Sequence, residues 1–139
     1  MPKTALIVED EIFVALDLER ILCDAGYEVT AIAADAPSAL EAAQSIPSGG
    51  FAFVDVNLRD GPTGPDIARR LSQDYGLKVV FVTANPAQIG TVPEALGYIR
   101  KPFTERAILA AAAVCTDGTC DAANDDLIRL DEPAKSNAG

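Results

Sequence analysis

Residues 51–61, Phe-Ala-Phe-Val-Asp-Val-Asn-Leu-Arg-Asp-Gly, carry four apolar residues that lead directly into an aspartate, Asp55. An unbroken apolar run of this kind is typical of a parallel strand that is covered on both faces. A carboxylate directly after such a strand needs a reason, because a charge next to an apolar core is costly unless it is compensated. The rest of the sequence must therefore show which groups accompany Asp55.

Strand-like and helical segments alternate along the chain. Apolar or β-branched runs predict strands at residues 4–8, 27–33, 51–54, 79–82 and 97–99. Helical periodicity with capping and stop signals predicts helices at residues 12–25, 35–43, 65–75 and 104–114. This alternation predicts an α/β fold in which parallel strands are joined by right-handed crossovers, with helices on both faces of the sheet.

The fourth crossover is irregular. It has to fit in residues 83–97, Thr-Ala-Asn-Pro-Ala-Gln-Ile-Gly-Thr-Val-Pro-Glu-Ala-Leu-Gly. Pro86 and Pro93 bracket only a few residues, and Gly90 lies between them. Proline and glycine both disfavour a helix interior, so we expect a short or distorted fourth helix.

Composition limits the classes of protein. The chain has 139 residues, 49% of them hydrophobic, which predicts one domain with a substantial core. We expect a cytoplasmic protein, with no signal peptide and no membrane span. The formal charge of −10 makes nucleic-acid binding improbable. The sequence has no histidine and three cysteines, Cys23, Cys115 and Cys120, which argues against a zinc site and a histidine base.

The C-terminal part differs from the rest. Residues 1–115 contain 15 acidic and 9 basic residues, whereas residues 116–139 contain 6 and 2. We therefore predict a domain at residues 1–115 and an acidic, poorly ordered tail at residues 116–139. A short turn at residues 127–130 could dock on the domain. Cys115 and Cys120 could form a redox pair, although buried or incidental thiols are the favoured interpretation.

Charged and polar residues follow the predicted strands at the edge where ligands of open parallel sheets bind. They are Glu9, Asp10, Glu11, Asp55, Thr83 and Lys101, and Ala84 next to Thr83 offers its backbone N–H. Clustered carboxylates require compensating charge, and oxygen ligands suit Mg²⁺, with Mn²⁺ as a substitute. Lys101, the Thr83 hydroxyl and the backbone N–H of Ala84 would complete a pocket for a phosphoryl group attached to Asp55.

Four motifs in this order resemble the receiver domain of two-component response regulators. They are Leu-Ile-Val-Glu-Asp-Glu at 6–11, Phe-Val-Asp-Val-Asn-Leu at 53–58, Val-Phe-Val-Thr-Ala-Asn at 80–85 and Tyr-Ile-Arg-Lys-Pro-Phe at 98–103. The resemblance covers about residues 3–115 and implies a flavodoxin-like five-stranded sheet in the order 2-1-3-4-5. In detail the chain looks most like stand-alone, single-domain receivers of alphaproteobacteria.

The resemblance also implies roles for residues. Asp55 would be phosphorylated from a phosphohistidine, and Mg²⁺ would be bound by Glu9, Asp10, Asp55 and the backbone carbonyl of Asn57. Thr83, Ala84 and Lys101 would hold the phosphoryl group. Tyr98 would turn inward with Thr83 as the switch. The Lys101–Pro102 peptide would be cis.

The resemblance implies partners rather than substrates. These would be a sensor histidine kinase or a histidine phosphotransfer protein, together with a separate output protein, and a homodimer is left open. No turnover of external substrates is expected beyond the chain's own phosphorylation and dephosphorylation. A haloacid-type phosphatase would need a second aspartate at the position of Asn57.

Two alternatives from other classes stay open at this stage. A degenerate receiver could act as a constitutive binding module, which a Mg²⁺ titration would distinguish. A flavin-binding protein of similar topology would need a loop rich in serine, threonine or glycine after the first strand, whereas this chain has Glu9-Asp10-Glu11.

Overall fold

The computed structural model describes residues 3–46, 50–117 and 127–129. The strands are β1 (Thr4–Val8), β2 (Glu28–Ala33), β3 (Phe51–Val54), β4 (Lys78–Thr83), β5 (Ala95–Arg100) and β6 (Leu127–Arg129). The helices are α1 (Ile12–Asp24), α2 (Ala36–Ala43), α3 (Gly64–Tyr75) and α4 (Glu105–Asp117).

The six strands form one sheet in the order β2-β1-β3-β4-β5-β6. β1 to β5 pair in parallel, and β6 pairs antiparallel with β5. The order 2-1-3-4-5 of the parallel strands confirms the predicted flavodoxin-like α/β fold. Because the strand order reverses at β1 and β3, their carboxyl ends border the crevice where such folds bind ligands.

Helix ends follow local signals in the sequence. α2 starts after Asp35, whose carboxylate accepts a hydrogen bond from the Ser38 backbone N–H at 3.0 Å. α3 ends at Gly76, which has a φ of 69°, a left-handed conformation that glycine adopts without steric cost. These caps set the positions of the two helices that cover one face of the sheet.

The sheet separates two apolar clusters. One contains Leu6, Val54 and Phe81 with residues of α2 and α3, and the other contains Ile7 and Phe53 with residues of α1 and α4. Alternate residues of each strand thus point into opposite clusters, which explains why the strands are apolar without interruption. A core on both faces holds the strand ends in fixed positions.

The fourth connection contains only a single 3₁₀ turn, Pro86–Gln88. Gly90 has a φ of 71°, and Pro93 follows it. Ile89 and Val92 are nevertheless buried in the cluster of the α3 side. This segment is thus packed without being helical, and the prediction of a short or distorted fourth helix is confirmed.

Most of the predicted tail lies outside the described residues, as does Cys120. Residues 127–129 form strand β6, so the prediction of a turn there is wrong. The turn prediction failed because it rested on local composition, whereas a strand at a sheet edge is set by its partner. In the described part of the chain, no helix has both the length and the hydrophobicity to span a membrane.

Candidate functional site

Backbone hydrogen bonds align the carboxyl ends of the strands. The Asp55 N–H donates to the carbonyl of Val8 at 2.9 Å. On the other side of the crevice the Lys101 N–H donates to the carbonyl of Thr83 at 3.0 Å. Groups that lie far apart in the sequence therefore meet at one edge of the sheet. The Lys101–Pro102 peptide is cis, as the resemblance implied.

Lys101 contacts three carboxylates. Its Nζ lies 2.9 Å from Oδ2 of Asp55, 2.8 Å from Oε1 of Glu9 and 3.1 Å from Oε1 of Glu11. The side chains of Lys101, Asp55 and Glu9 are only 13%, 9% and 1% exposed, whereas that of Glu11 is 65% exposed. The centre of this group is thus shielded from water, which strengthens its electrostatic interactions.

Burial changes the ionisation of the group. The pKa of Glu9 is raised from 4.5 to about 7, mainly by burial and to a smaller extent by the nearby charge of Asp55, while hydrogen bonds from Lys101 and from the Glu11 N–H oppose the rise. Burial alone would lower the pKa of Lys101, but hydrogen bonds to Glu9 and Asp55 outweigh it and raise the pKa. Lys101 is therefore held as a cation.

A cluster of carboxylate oxygens with the spacing to hold a cation lies beside Lys101. Carboxylate oxygens of Glu9, Glu11 and Asp55 lie within 4.8 Å of one another. When all three are ionised, one ammonium leaves two negative charges uncompensated, which a divalent cation would balance. An oxygen-only donor set fits Mg²⁺ or Mn²⁺. Asp10, a predicted ligand, is exposed and lies outside this cluster.

The Asp55 carboxylate is held by its surroundings. Oδ1 accepts a hydrogen bond from the Val56 N–H at 2.7 Å, while Oδ2 faces Lys101. Behind it, the start of α3 approaches so closely that a Cβ at Gly64 would lie 2.1 Å from the carbonyl oxygen of Asp55. Only glycine fits there, and the helix thereby fixes the Asp55 backbone.

The remaining predicted residues lie around this centre. Thr83 is buried, and its Oγ1 accepts a hydrogen bond from the Asn85 N–H at 3.0 Å. Ala84 is exposed at the end of β4. Tyr98 is half-buried and packs against the cluster of the α3 side. Asn57 donates from Nδ2 to Oε1 of Gln88 at 2.7 Å, which links the Asp55 loop to the 3₁₀ turn.

A groove opens next to Lys101. Its volume is about 720 Å³, and its apolar wall is formed by Phe13, Val14, Pro102 and Phe103. Phe13 is 83% exposed, and its helix neighbours Ile12 and Leu16 are 56% and 46% exposed. The first turn of α1 thus presents apolar surface to solvent beside the carboxylates.

Sequence reasoning missed three contributors. Glu11 was noted in the acidic loop but was given no role, although its contact with Lys101 was foreseeable from its position after β1. Gly64 lies against the backbone of Asp55, and Gln88 accepts a hydrogen bond from Asn57, so both roles depend on contacts between separate segments. No sequence signal marked Gly64, because glycine is common at the cap position before a helix-opening proline.

Comparison with known proteins defines the class. The family model described as the response regulator receiver domain matches residues 5–113. The chain belongs to this family.

Several individual proteins are similar. The phyllosphere-induced regulator PhyR of Methylorubrum extorquens is 33% identical over 105 residues, which is 74% of this chain and 39% of PhyR. The sensory transduction protein RegX3 of Mycolicibacterium smegmatis is 35% identical over 112 residues, 77% of this chain and 47% of RegX3. The chain therefore spans less than half the length of these two relatives.

Solved structures agree with the fold. The solution structure of the PhyR receiver domain of Erythrobacter litoralis superposes with a TM-score of 0.72 at 28% identity, covering 86% of this chain and 96% of that domain. The receiver domain of NtrX from Brucella abortus has a TM-score of 0.72 at 25% identity, covering 83% and 99%. Receiver domains serve phosphorylation-based signalling in two-component systems and bind Mg²⁺ in an acidic pocket.

Proposed function

We propose that this chain accepts a phosphoryl group on Asp55 from a phosphohistidine, in a Mg²⁺-dependent reaction, and signals by a conformational switch. One observation carries the proposal. Lys101 Nζ lies 2.9 Å from Oδ2 of Asp55, inside a carboxylate cluster that has surplus negative charge. A structural ion pair would need only one carboxylate, whereas a phosphoryl site needs a carboxylate nucleophile, a cation beside it and further acidic groups that can hold a metal ion.

The transfer replaces the P–N bond of the donor with an O–P bond to Asp55. A carboxylate oxygen of Asp55 attacks the phosphorus atom and forms an O–P bond. The P–N bond to the donor imidazole breaks, and its electron pair returns to the ring nitrogen, which takes up a proton. The product is an acyl phosphate. Residues 1–139 contain no histidine, so the donor histidine lies outside them.

The residues that would hold Mg²⁺ are Glu9, Asp10, Asp55 and the backbone carbonyl of Asn57. The bound ion supplies charge neutralisation of the phosphoryl oxygens. Glu11 lies in the observed cluster and is the further candidate, acting directly or through water. Lys101 binds one phosphoryl oxygen, and the Thr83 hydroxyl with the Ala84 N–H bind the others.

The donor docks beside the site. The groove formed by Phe13, Val14 and Phe103 adjoins Lys101, and the apolar start of α1 extends the same surface. Exposed apolar surface of this kind marks a protein contact. It suits a helical donor domain that places its phosphohistidine over Asp55, as in a sensor histidine kinase or a histidine phosphotransfer protein. The transfer is the only chemistry expected, with no turnover of external substrates.

The output signal would come from the rearrangement that a phosphoryl group on Asp55 causes in its neighbours. The Thr83 hydroxyl, which accepts a hydrogen bond from the Asn85 N–H, turns to donate one to a phosphoryl oxygen. Tyr98 moves with it. Since β5 carries Tyr98 and leads into Lys101, the rearrangement reaches the surface of β5. A separate output protein, a histidine phosphotransfer protein or a second copy of the chain reads this surface.

Labelling with a small phosphodonor tests the proposal. Acetyl phosphate with Mg²⁺ should add one phosphoryl group to the wild type, and EDTA should prevent it. Asp55→Asn should abolish labelling. Asp60→Asn is the matched control, because Asp60 is an exposed carboxylate in the same loop. The amide oxygen of asparagine can accept from the Ala36 N–H, and its NH₂ group can donate to the Thr63 hydroxyl. Undiminished labelling of Asp55→Asn would refute the proposal.

A further inference from the structure

The outer edge of β5 is covered by the chain itself. β6 pairs antiparallel with β5, and Arg129, Ile128 and Leu127 lie opposite Gly97, Tyr98 and Ile99. The strands β1 to β5 are all parallel, so β6 is an addition to the family sheet at its last position. Without it, the N–H and C=O groups on that side of β5 would have no strand partner, and an edge of this kind readily pairs with another chain.

The irregular fourth connection is held on the α3 side of the sheet. Residues 84–94, all described, contain a 3₁₀ turn of three residues in place of an α-helix. This segment is tied to α3, through a hydrogen bond from Nη2 of Arg69 to the carbonyl of Thr91 at 2.7 Å. It therefore lies against α3, while the opposite edge of β5 is left to β6 and α4.

The same strand reaches the phosphorylation site. Tyr98, the predicted switch residue, lies opposite Ile128. β5 ends at Arg100, and the next residue is Lys101, whose Nζ contacts Asp55 and whose N–H is bonded to Thr83. A shift of Lys101 toward a phosphoryl oxygen thus moves the end of the strand to which β6 is paired.

We propose that Leu127–Arg129 is a displaceable cap, which occupies the outer edge of β5 in the resting chain and leaves that edge when its pairing is weakened. Phosphorylation of Asp55 weakens the cap. This coupling rests on the function proposed above, whereas the cap itself does not. A strand of three residues is shorter than the usual five to six, so few main-chain bonds need to break for its release.

Proline variants of the full chain test the cap. Successive N–H groups of a strand point to opposite sides, so Leu127→Pro/Ile128→Pro removes at least one donor toward β5. Ala123→Pro, which places a proline in the tail outside β6, is the matched control. The probe is a fluorescent peptide of residues 124–132, Asn-Asp-Asp-Leu-Ile-Arg-Leu-Asp-Glu, and the same peptide with prolines at 127 and 128 is the negative probe.

The double variant should bind the peptide at least about tenfold more tightly than the wild type and the control, because the tethered cap no longer competes. Amide exchange in β5 should be faster in the double variant and slow again on addition of peptide. Equal peptide binding by all three proteins would overturn the cap.

The coupling is tested on wild-type protein treated with acetyl phosphate. Once Asp55 is labelled, peptide affinity should rise at least about fivefold. Labelling without a change in affinity would overturn the coupling and leave the proposed function intact. Absence of labelling would refute the proposed function, while peptide binding to the double variant would still support the cap.

Discussion

Lys101 Nζ lies 2.9 Å from Oδ2 of Asp55 and 2.8 Å from Oε1 of Glu9, so one cation serves two buried carboxylates. The arrangement places a positive charge where a phosphoryl oxygen on Asp55 would come. It also binds the Asp55 loop to the end of β5, because the backbone of Lys101 is fixed by Thr83. The same side chain thus links local charge to the position of a strand.

Lys101→Met should destabilise the metal-free protein. The carboxylates of Asp55 and Glu9 would lose their cation while staying buried, which should lower the free energy of unfolding by about 3 kcal/mol. Lys78→Met, at an exposed position of β4, should change it by no more than about 0.5 kcal/mol. Urea unfolding at neutral pH measures both. Equal stability of the two variants would show that Lys101 does not compensate the carboxylates.

Mg²⁺ should stabilise the protein by binding the folded state. At about 100 times its dissociation constant, the gain in unfolding free energy should be about 2.7 kcal/mol. In Glu9→Gln and in Asp10→Asn, the rise in melting temperature should need a higher Mg²⁺ concentration than in the wild type. Glu28→Gln, a change at an exposed position, is the control and should leave this concentration unchanged. Calorimetry over a Mg²⁺ titration gives this result. An unchanged titration in Asp10→Asn would remove Asp10 from the ligand set.

Gly64→Ala should be strongly unfavourable. A Cβ at this position would lie 2.1 Å from the Asp55 carbonyl oxygen, so α3 or the Asp55 loop must move. We expect a loss of about 2 kcal/mol of stability and slower labelling of Asp55. Ser72→Ala on the same helix is the control and should change neither quantity. Wild-type behaviour of Gly64→Ala would contradict the close approach.

Asp35 should give a pH-dependent contribution. Hydrogen bonds from the Ser38 hydroxyl and the Ser38 N–H hold the pKa of Asp35 below its ordinary value of 3.8. The ionised cap therefore stabilises the fold above pH 3.8, and this contribution is lost as the pH falls through the lower pKa of the folded state.

The measurement compares urea midpoints of the wild type and Asp35→Ala between neutral and acidic pH. The difference between them should be largest near neutral pH and shrink in acid. Glu41→Ala, an exposed carboxylate on α2 itself, is the control. A difference that is independent of pH would show that the charge of Asp35 contributes nothing.

The fold was accessible from the sequence because its signals are local. Apolar runs without alternation marked parallel strands, and Pro86, Gly90 and Pro93 marked the irregular fourth connection. The convergence of Asp55, Thr83 and Lys101 followed from one rule, that strand ends in such a sheet share an edge.

Other features depend on contacts that no local pattern encodes. β6 is three residues long, and its pairing is decided by a free edge and not by its own propensity. The bond from Asn57 to Gln88 joins side chains 31 residues apart, and the fit of Gly64 depends on how close α3 comes to β3. The exposure of the apolar residues at the start of α1 was also not predictable, because their spacing is that of an ordinary amphipathic helix.

The most direct measurement locates the phosphoryl group. An acyl phosphate on aspartate is reduced by borohydride to homoserine, which tandem mass spectrometry can assign to a position. After treatment with acetyl phosphate and Mg²⁺, followed by borohydride, we expect homoserine at position 55. Homoserine at position 10 or 60, or its absence after the donor has been consumed, would contradict the account.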